Sequence, residues 1–338
     1  MAQATLVAEQ RRALPSNLIW GIVAVVAVIA TFYFYGTRPA VTTAILASAL
    51  RQATPLVLGA LSGLYCERSG VINIGIEGMM LVGAFVAFLT NVYTANLFLA
   101  TLVGVASGVL TGLLHAFLSI TIKMDQIISG TIINILALEL TGFFYQAGLT
   151  TQGKLTPVAI PLLSDIPLIG PVLFNNPPIT YLSIILVIVT HILLFRTVWG
   201  LRTRAVGEHP RAADTVGIDV IRTRYINVML GGALAGLAGA YLTLEAVGSF
   251  ERAMTNGRGF VALAVMIFGK WTPLGAWGAA LLFGLANALQ TQAQFSNFDA
   301  IPHQFVGMLP YILTIVVLAG FVGRAHPPAA IGQPYDKE

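Results

Sequence analysis

Residues 67–82 read ERSGVINIGIEGMMLV, a glycine-studded polar passage set directly against sequence apolar enough for lipid. Gly70, Gly75 and Gly78 sit beside Asn73 and Glu77, and no water-exposed loop is long enough to absorb them. Within a bilayer, backbone this irregular survives only where it is buried in protein or lines a cavity. Ionisable groups at that depth mark pathways and binding sites as a rule. The passage therefore points to a membrane protein with broken backbone inside its bundle, and the break is the first place to look for function.

Composition agrees with that class. The chain is 57% hydrophobic and 9% charged, with a mean hydropathy of +0.83, whereas a soluble domain carries about 25% charged residues. Several stretches reach the ~20 apolar residues that cross a bilayer. Cys66 is the single cysteine, which excludes a disulfide within the chain and a cysteine-based metal cluster. The net charge of +4 is no sign of a nucleic-acid polymer as partner, because basic residues in a membrane protein mostly set its orientation.

The apolar runs predict an all-α, polytopic fold, one transmembrane domain over residues 1–338 with about ten spans. These lie near 16–35, 41–65, 72–90, 97–121, 126–148, 179–195, 225–246, 257–270, 274–292 and 303–322. The first is too long for a signal-peptide core, and Gly36, Thr37, Arg38 and Pro39 follow it rather than a small-residue cleavage site. With both termini inside, 13 of the 18 Lys and Arg residues fall on the cytoplasmic side, so N-in and C-in is the expected topology.

An outer excursion at about 149–178 carries six prolines, too many for a regular helix. An inner one at about 196–224 is the only long, charged, helix-capable cytoplasmic segment. The four-span block 41–148 starts outside and the block 225–322 starts inside, an arrangement that suits the inverted repeats of transporters. Glu67-Arg68-Ser69-Gly70 after the first span of one block is echoed by Glu251-Arg252 with Gly257 and Gly259 after the first span of the other.

Small residues at four-residue spacing, Gly59/Gly63, Gly104/Gly108/Gly112 and Gly232/Gly236, predict close helix packing. The intramembrane polar set is Asn73, Glu77, Asn134, Glu139, Asn287 and Gln290. Each unsatisfied polar group in lipid costs several kcal/mol, so all six are expected to face the interior, as substrate-pathway residues or as helix-to-helix and capping partners. Asn73 and Glu77 share a face if the passage is helical, and Glu77 equally suits tying down the backbone around Gly75. The amides favour a neutral hydroxylated or heterocyclic solute over an inorganic ion. No phosphate loop is present, since Gly153-Lys154 meets Leu155 and Gly269-Lys270 meets Trp271. The five histidines are scattered without ligand spacing, so no catalytic or metal-binding set is expected.

In the inner loop, Glu208-His209-Pro210 reads as a turn entering a short helix through Arg211, Ala212 and Ala213, with Pro210 in the first turn. Gly217 ends it after about two turns. A short exposed helix on the inner face of a bundle without a nucleotide site suits docking, and it equally suits an ordinary basic loop.

These residues resemble the transmembrane permease subunit of ATP-binding-cassette importers, in the branched-chain amino acid and simple-sugar permease family, and within it the nucleoside-type branch. Three stretches carry the resemblance: ERSGVINIGIEGMMLVGAF at 67–85, LRTRAVGEHP at 201–210 continuing to Gly217-Ile218, and GRGFVALAVMIFGKWTPLGA at 257–276. The resemblance implies a subunit of a bacterial inner-membrane importer that binds no cofactor itself. It implies two cytosolic ATPase subunits that use ATP and Mg, a second permease subunit, homologous or identical, and an extracytoplasmic substrate-binding protein. Glu208–Gly217 then match the family's coupling helix, with His209 in place of the more usual Asn. The implied substrate is a nucleoside, with sugars and amino acids as alternatives. The rival reading is an ion-coupled secondary transporter without ATPase subunits, with Glu77 and Glu139 as proton carriers.

Overall fold

The computed structural model describes residues 28–295, 308, 312 and 326–337. Residues 28–37 are helical, and the longest helix follows, α1 (Pro39–Arg68), with Pro39 in its first turn, where a missing N–H leaves no intrahelical bond unmade. The chain then breaks over residues 69–75 and resumes as α2 (Ile76–Thr94), α3 (Leu97–Ala116) and α4 (Gln126–Phe144). A π-helical turn, Phe117–Thr121, extends α3. Asn96 and Asp125 cap α3 and α4 by accepting backbone N–H bonds from Leu99 and from Ile127 and Ile128.

The proline-rich excursion holds a two-residue antiparallel pair, β1 (Val158–Ala159) with β2 (Asn175–Asn176), in register Val158 to Asn176. A single-turn helix, α5 (Ile169–Leu173), lies between them. After α6 (Pro178–Arg196) come α7 (Val198–Glu208) and α8 (Pro210–Thr215), then α9 (Val220–Ala240) with a π-helical continuation at Tyr241–Val247. The short α10 (Arg258–Phe268) and α11 (Pro273–Phe295) complete the described helices.

Six of these segments are long and apolar enough to cross a membrane: Pro39–Arg68, Ile76–Thr94, Leu97–Thr121, Gln126–Phe144, Pro178–Arg196 and Val220–Val247. At 1.5 Å per residue the 11 residues of α10 reach about half of a ~30 Å hydrocarbon core. The predicted first and tenth spans fall largely outside the described residues. The charged excursion at 196–224 contains one helix more than the sequence indicated, because α7 fills the stretch before Pro210.

α1 and α9 form the centre. α1 packs on α9, α10 and α11, while α9 packs on α1, α2 and α3, so the two helices hold reciprocal sets of neighbours. The two helices carry near-identical sequence, Gly59–Leu64 (GALSGL) and Gly232–Leu237 (GALAGL). A methyl group on Gly59 would stand 2.7 Å from the Ala262 side chain of α10, and one on Gly63 2.9 Å from Met266. Against α3 the fit is backbone to backbone, with Gly232 and Gly236 meeting Gly104, Gly108 and Gly112. Lipid tails are as apolar as leucine, so this contact is held by dispersion between closely approaching backbones rather than by exclusion of water.

Candidate functional site

The break after α1 is held by side chains from other helices. Gly70 adopts a left-handed φ of +90°, and a side chain there would meet Arg224 and the Ala330 carbonyl, so glycine is required. Val71 N–H returns to the Cys66 carbonyl at 3.0 Å. The Ile72 N–H donates to Gln126 Oε1 at 2.6 Å, and the Ile72 carbonyl accepts from His115 Nε2 at 2.9 Å. Because a carbonyl only accepts, His115 carries its proton on Nε2, and its Nδ1 takes the Ser129 hydroxyl at 3.0 Å. Asn134 bridges the rest, donating to the Ile74 carbonyl at 3.0 Å and accepting from Gly78 N–H at 2.7 Å. The backbone that lipid cannot satisfy is thus satisfied from α3 and α4.

Glu77, in the first turn of α2, reaches a different break. Its Oε1 accepts from Gly257 N–H at 2.8 Å and its Oε2 from Gly259 N–H at 2.6 Å, closing the N-terminus of α10. Two interrupted helices therefore meet start to start, and the carboxylate of one neutralises the free N–H groups and positive dipole end of the other. Glu245 does the same for α6, accepting from Ile179 N–H at 2.7 Å and from the Thr180 N–H and hydroxyl at 3.1 and 2.5 Å. Glu67 and Arg68 together hold the turn after α10, through Trp271 Nε1–H to Glu67 at 2.6 Å and Arg68 to the Trp271 carbonyl at 2.7 Å.

A cavity of about 600 Å³ opens between α1, the Tyr241 turn, α10 and α11. Gln52, Asn256, Asn287, Gln290 and Thr291 supply amide and hydroxyl groups, and Phe260, Phe283 and Tyr241 supply rings. Arg258 lines it too, with its guanidinium donating to the Met254 carbonyl at 2.8 Å. The Tyr241 hydroxyl is spent on the Arg51 carbonyl at 2.5 Å, which fixes its ring as a wall. The volume is in the ordinary range for small-molecule sites, and polar and apolar side chains share its wall. A smaller cavity of about 260 Å³ between Glu77, Asn134 and Gly257 shares Asn256 and Phe260 with it.

The six sequence-predicted pathway residues thus separate into distinct places. Asn287 and Gln290 line the large cavity; Glu77 and Asn134 border the small one while holding backbone. Asn73 and Glu77 do not share a face, because Asn73 lies in the break and only Glu77 is helical. Asn73 is fully buried and lines neither cavity, with its amide N–H against Cys66 and Met79. Glu139 departs from the expected inward orientation: on this single chain it is exposed on the outer face of α4, among exposed Ile135, Leu136 and Phe143. The echo at Glu251-Arg252 has no counterpart to the Glu67–Trp271 clasp, since both residues are exposed. Sequence reasoning missed Gln52, Phe260 and Phe283, which are ordinary helix residues until the fold turns them into one space. It missed His115, Gln126 and Glu245 as backbone holders for the same reason.

The charged excursion at 196–224 folds as a helix pair. Thr197 caps α7 by accepting from Gly200 N–H at 3.1 Å. His209 (φ −140°) is the joint, and α8 runs six residues to Thr215, with Gly217 at φ +82° beyond it, as the Pro and Gly positions predict. Ala213 is buried against Val206 and Val220, while His209, Arg211, Ala212 and Val216 are exposed.

Residues 45–318 match the family described as branched-chain amino acid transport system / permease component. The chain is 43% identical over 307 residues to the guanosine ABC transporter permease protein NupQ of Bacillus subtilis, covering 87% of this chain and 96% of that protein. It is 40% identical over 306 residues to the nucleoside ABC transporter permease protein NupC of Lactococcus lactis, with 87% and 96% covered. The putative glucose ABC transporter permease protein TsgC13 of Haloferax volcanii is 36% identical over 321 residues, with 87% and 98% covered. No solved structure matches.

Proposed function

The chain belongs to the family of permease components of branched-chain amino acid transport systems, and on that premise we propose that it is the membrane-spanning subunit of an ATP-binding-cassette importer for nucleosides. The observation that carries the substrate is the 600 Å³ cavity. Amide groups at Gln52, Asn287 and Gln290 offer both donors and acceptors to a nucleobase and ribose, and Phe260 and Phe283 offer faces for a planar heterocycle. Arg258 is the one cationic side chain among its described lining residues, and its Nη1 is held by the Met254 and Thr255 carbonyls. The names of the guanosine and nucleoside permease relatives agree with that class.

The importer comprises this chain, a second permease subunit, two ATPase subunits that hydrolyse ATP on Mg, and an external binding protein, in the inner membrane of a bacterial cell. The chain itself is not an enzyme and binds no cofactor. α8 docks on an ATPase; nucleotide-driven closure moves it and switches the bundle between inward- and outward-open states. About ten spans, with both termini inside and two inverted four-span blocks, form the single domain. The reciprocal neighbours of α1 and α9 and their shared GALxGL sequence support the repeat. Glu139 stands mid-helix on an exposed face, where lipid solvates a carboxylate poorly, so the second permease or the aqueous path between the two covers it.

The secondary-carrier reading is weakened at Glu77, whose two oxygens are both committed to N–H donors. Uptake of labelled guanosine by cells carrying the complex is the test. Competition by nucleosides but not by glucose or leucine, with loss on ATP depletion, supports the proposal. Uptake that survives ATP depletion and stops with an uncoupler overturns it.

A further inference from the structure

We propose that the segment 326–337 forms half of the surface that the ATPase recognises, with α8 as the other half. This rests on the importer reading above.

The segment is strapped across the inner helix pair by four hydrogen bonds from its backbone, reaching three places in the fold. Ala330 N–H donates to the Gly207 carbonyl at 2.9 Å, and Ala329 N–H to the Glu208 carboxylate at 3.1 Å, both at the end of α7. Gly332 N–H donates to the Gly70 carbonyl at 3.1 Å, in the break below α2. The Gln333 carbonyl accepts from Arg224 at 2.9 Å; Arg224 belongs to α9 and is among the largest fully buried side chains of the described residues. Tyr335 is buried in the cluster of Val206, Ala213 and Val220, so the strap closes the same small core that seats α8. Lys123, after α3, pairs with Asp336.

A groove of about 580 Å³ results, with His209, Pro210 and Ala212 on one wall and Gln333, Pro334 and Asp336 on the other. α8 alone is too short to present a surface: six residues, one of them buried. With the strap beside it the exposed area becomes a continuous two-walled feature; α7 and α9, which lead into and out of it, carry the exposed cations Arg202 and Arg222, while Asp336 is paired. That charge suits an acid-bearing protein surface. Because the strap is bonded to the break and to α9 as well, a partner seated in the groove pulls on the bundle, not on α8 alone.

The test is photo-crosslinking in the assembled importer in native membranes, in a Cys66→Ser background. Ala212→Cys and Pro334→Cys, each labelled with a maleimide–benzophenone, are irradiated and the adducts identified by mass spectrometry. Both positions are exposed and make no side-chain bond, so neither variant challenges folding. The expected result is an ATPase adduct from Pro334→Cys within about threefold of that from Ala212→Cys, a spread of roughly 0.7 kcal/mol in occupancy. An ATPase adduct from Ala212→Cys alone, with Pro334→Cys at least about tenfold lower or joined only to lipid, overturns the strap as a docking wall and leaves the importer standing. Failure of both positions to reach an ATPase overturns the importer reading and this inference with it.

Discussion

Glu77 is a carboxylate set among membrane helices, and its two oxygens each accept one backbone N–H from the start of α10. Charge-assisted bonds of this kind contribute about 1.5–3 kcal/mol apiece. Glu77→Ala, which leaves both donors bare, is expected to destabilise the purified protein by roughly 3 kcal/mol, measured as a drop in Tm or in denaturant midpoint. Glu77→Gln keeps one acceptor and is expected to lose about half as much. Neither change is expected to make uptake depend on a proton gradient. Asn134 and Asn287 separate in the same way. Asn134→Leu strands Gly78 N–H and the Ile74 carbonyl and is expected to cost about 2–4 kcal/mol of stability. Asn287→Ala, on the cavity wall, is expected to leave stability within about 0.5 kcal/mol of the parent. It should instead raise the guanosine concentration for half-maximal uptake several-fold.

At the scale of elements, α9 is wedged between α2 and α3 by glycine. Gly232→Ala pushes a methyl into the Gly108 backbone, and overpacking of this kind costs about 1–3 kcal/mol. Gly278 in α11 has nothing within 4 Å of where a side chain would stand. Gly278→Ala is therefore expected to be neutral or stabilising by up to about 1 kcal/mol, through helix propensity. A thermal-shift comparison of the two variants distinguishes a packing seam from a general dislike of substituted glycine. α8 depends on its exit: Gly217 sits at φ +82°, which proline cannot adopt. Gly217→Pro is expected to abolish uptake while the protein still inserts, read from transport and from yield in the membrane fraction. Uptake retained in that variant would remove α8 from the coupling path.

For the whole molecule, the reciprocal packing of α1 and α9 places the start of α2 against the start of α10, and both cavities open beside that meeting point, sharing Asn256 and Phe260. The orientation proposed from the basic residues makes a further prediction. In a Cys66→Ser background, Arg211→Cys is expected to react with an impermeant thiol reagent only from the cytoplasmic side, and Asp165→Cys only from outside. Labelling from the reverse sides would invert the topology and move α8 away from any cytosolic ATPase.

Membrane class, six of the spans, the short helix after Pro210 and its end at Gly217 were legible in the sequence because each depends on local chemistry. Apolar run length decides whether a helix suits lipid, and Pro and Gly fix backbone dihedrals wherever they occur. The break at residues 69–75 was legible as a break, since glycine and asparagine in an apolar run signal irregular backbone. What that backbone bonds to was not legible, because His115, Gln126 and Asn134 lie 43, 54 and 60 residues from their carbonyl and N–H partners. The same holds for Glu77, read in sequence as a pathway residue or as a tie for the backbone around Gly75, and found 180 and 182 residues from the N–H groups it caps. Hydrogen-bond satisfaction in an apolar medium is a property of the assembled bundle, so tertiary structure alone decided which polar side chains hold backbone and which face the cavity.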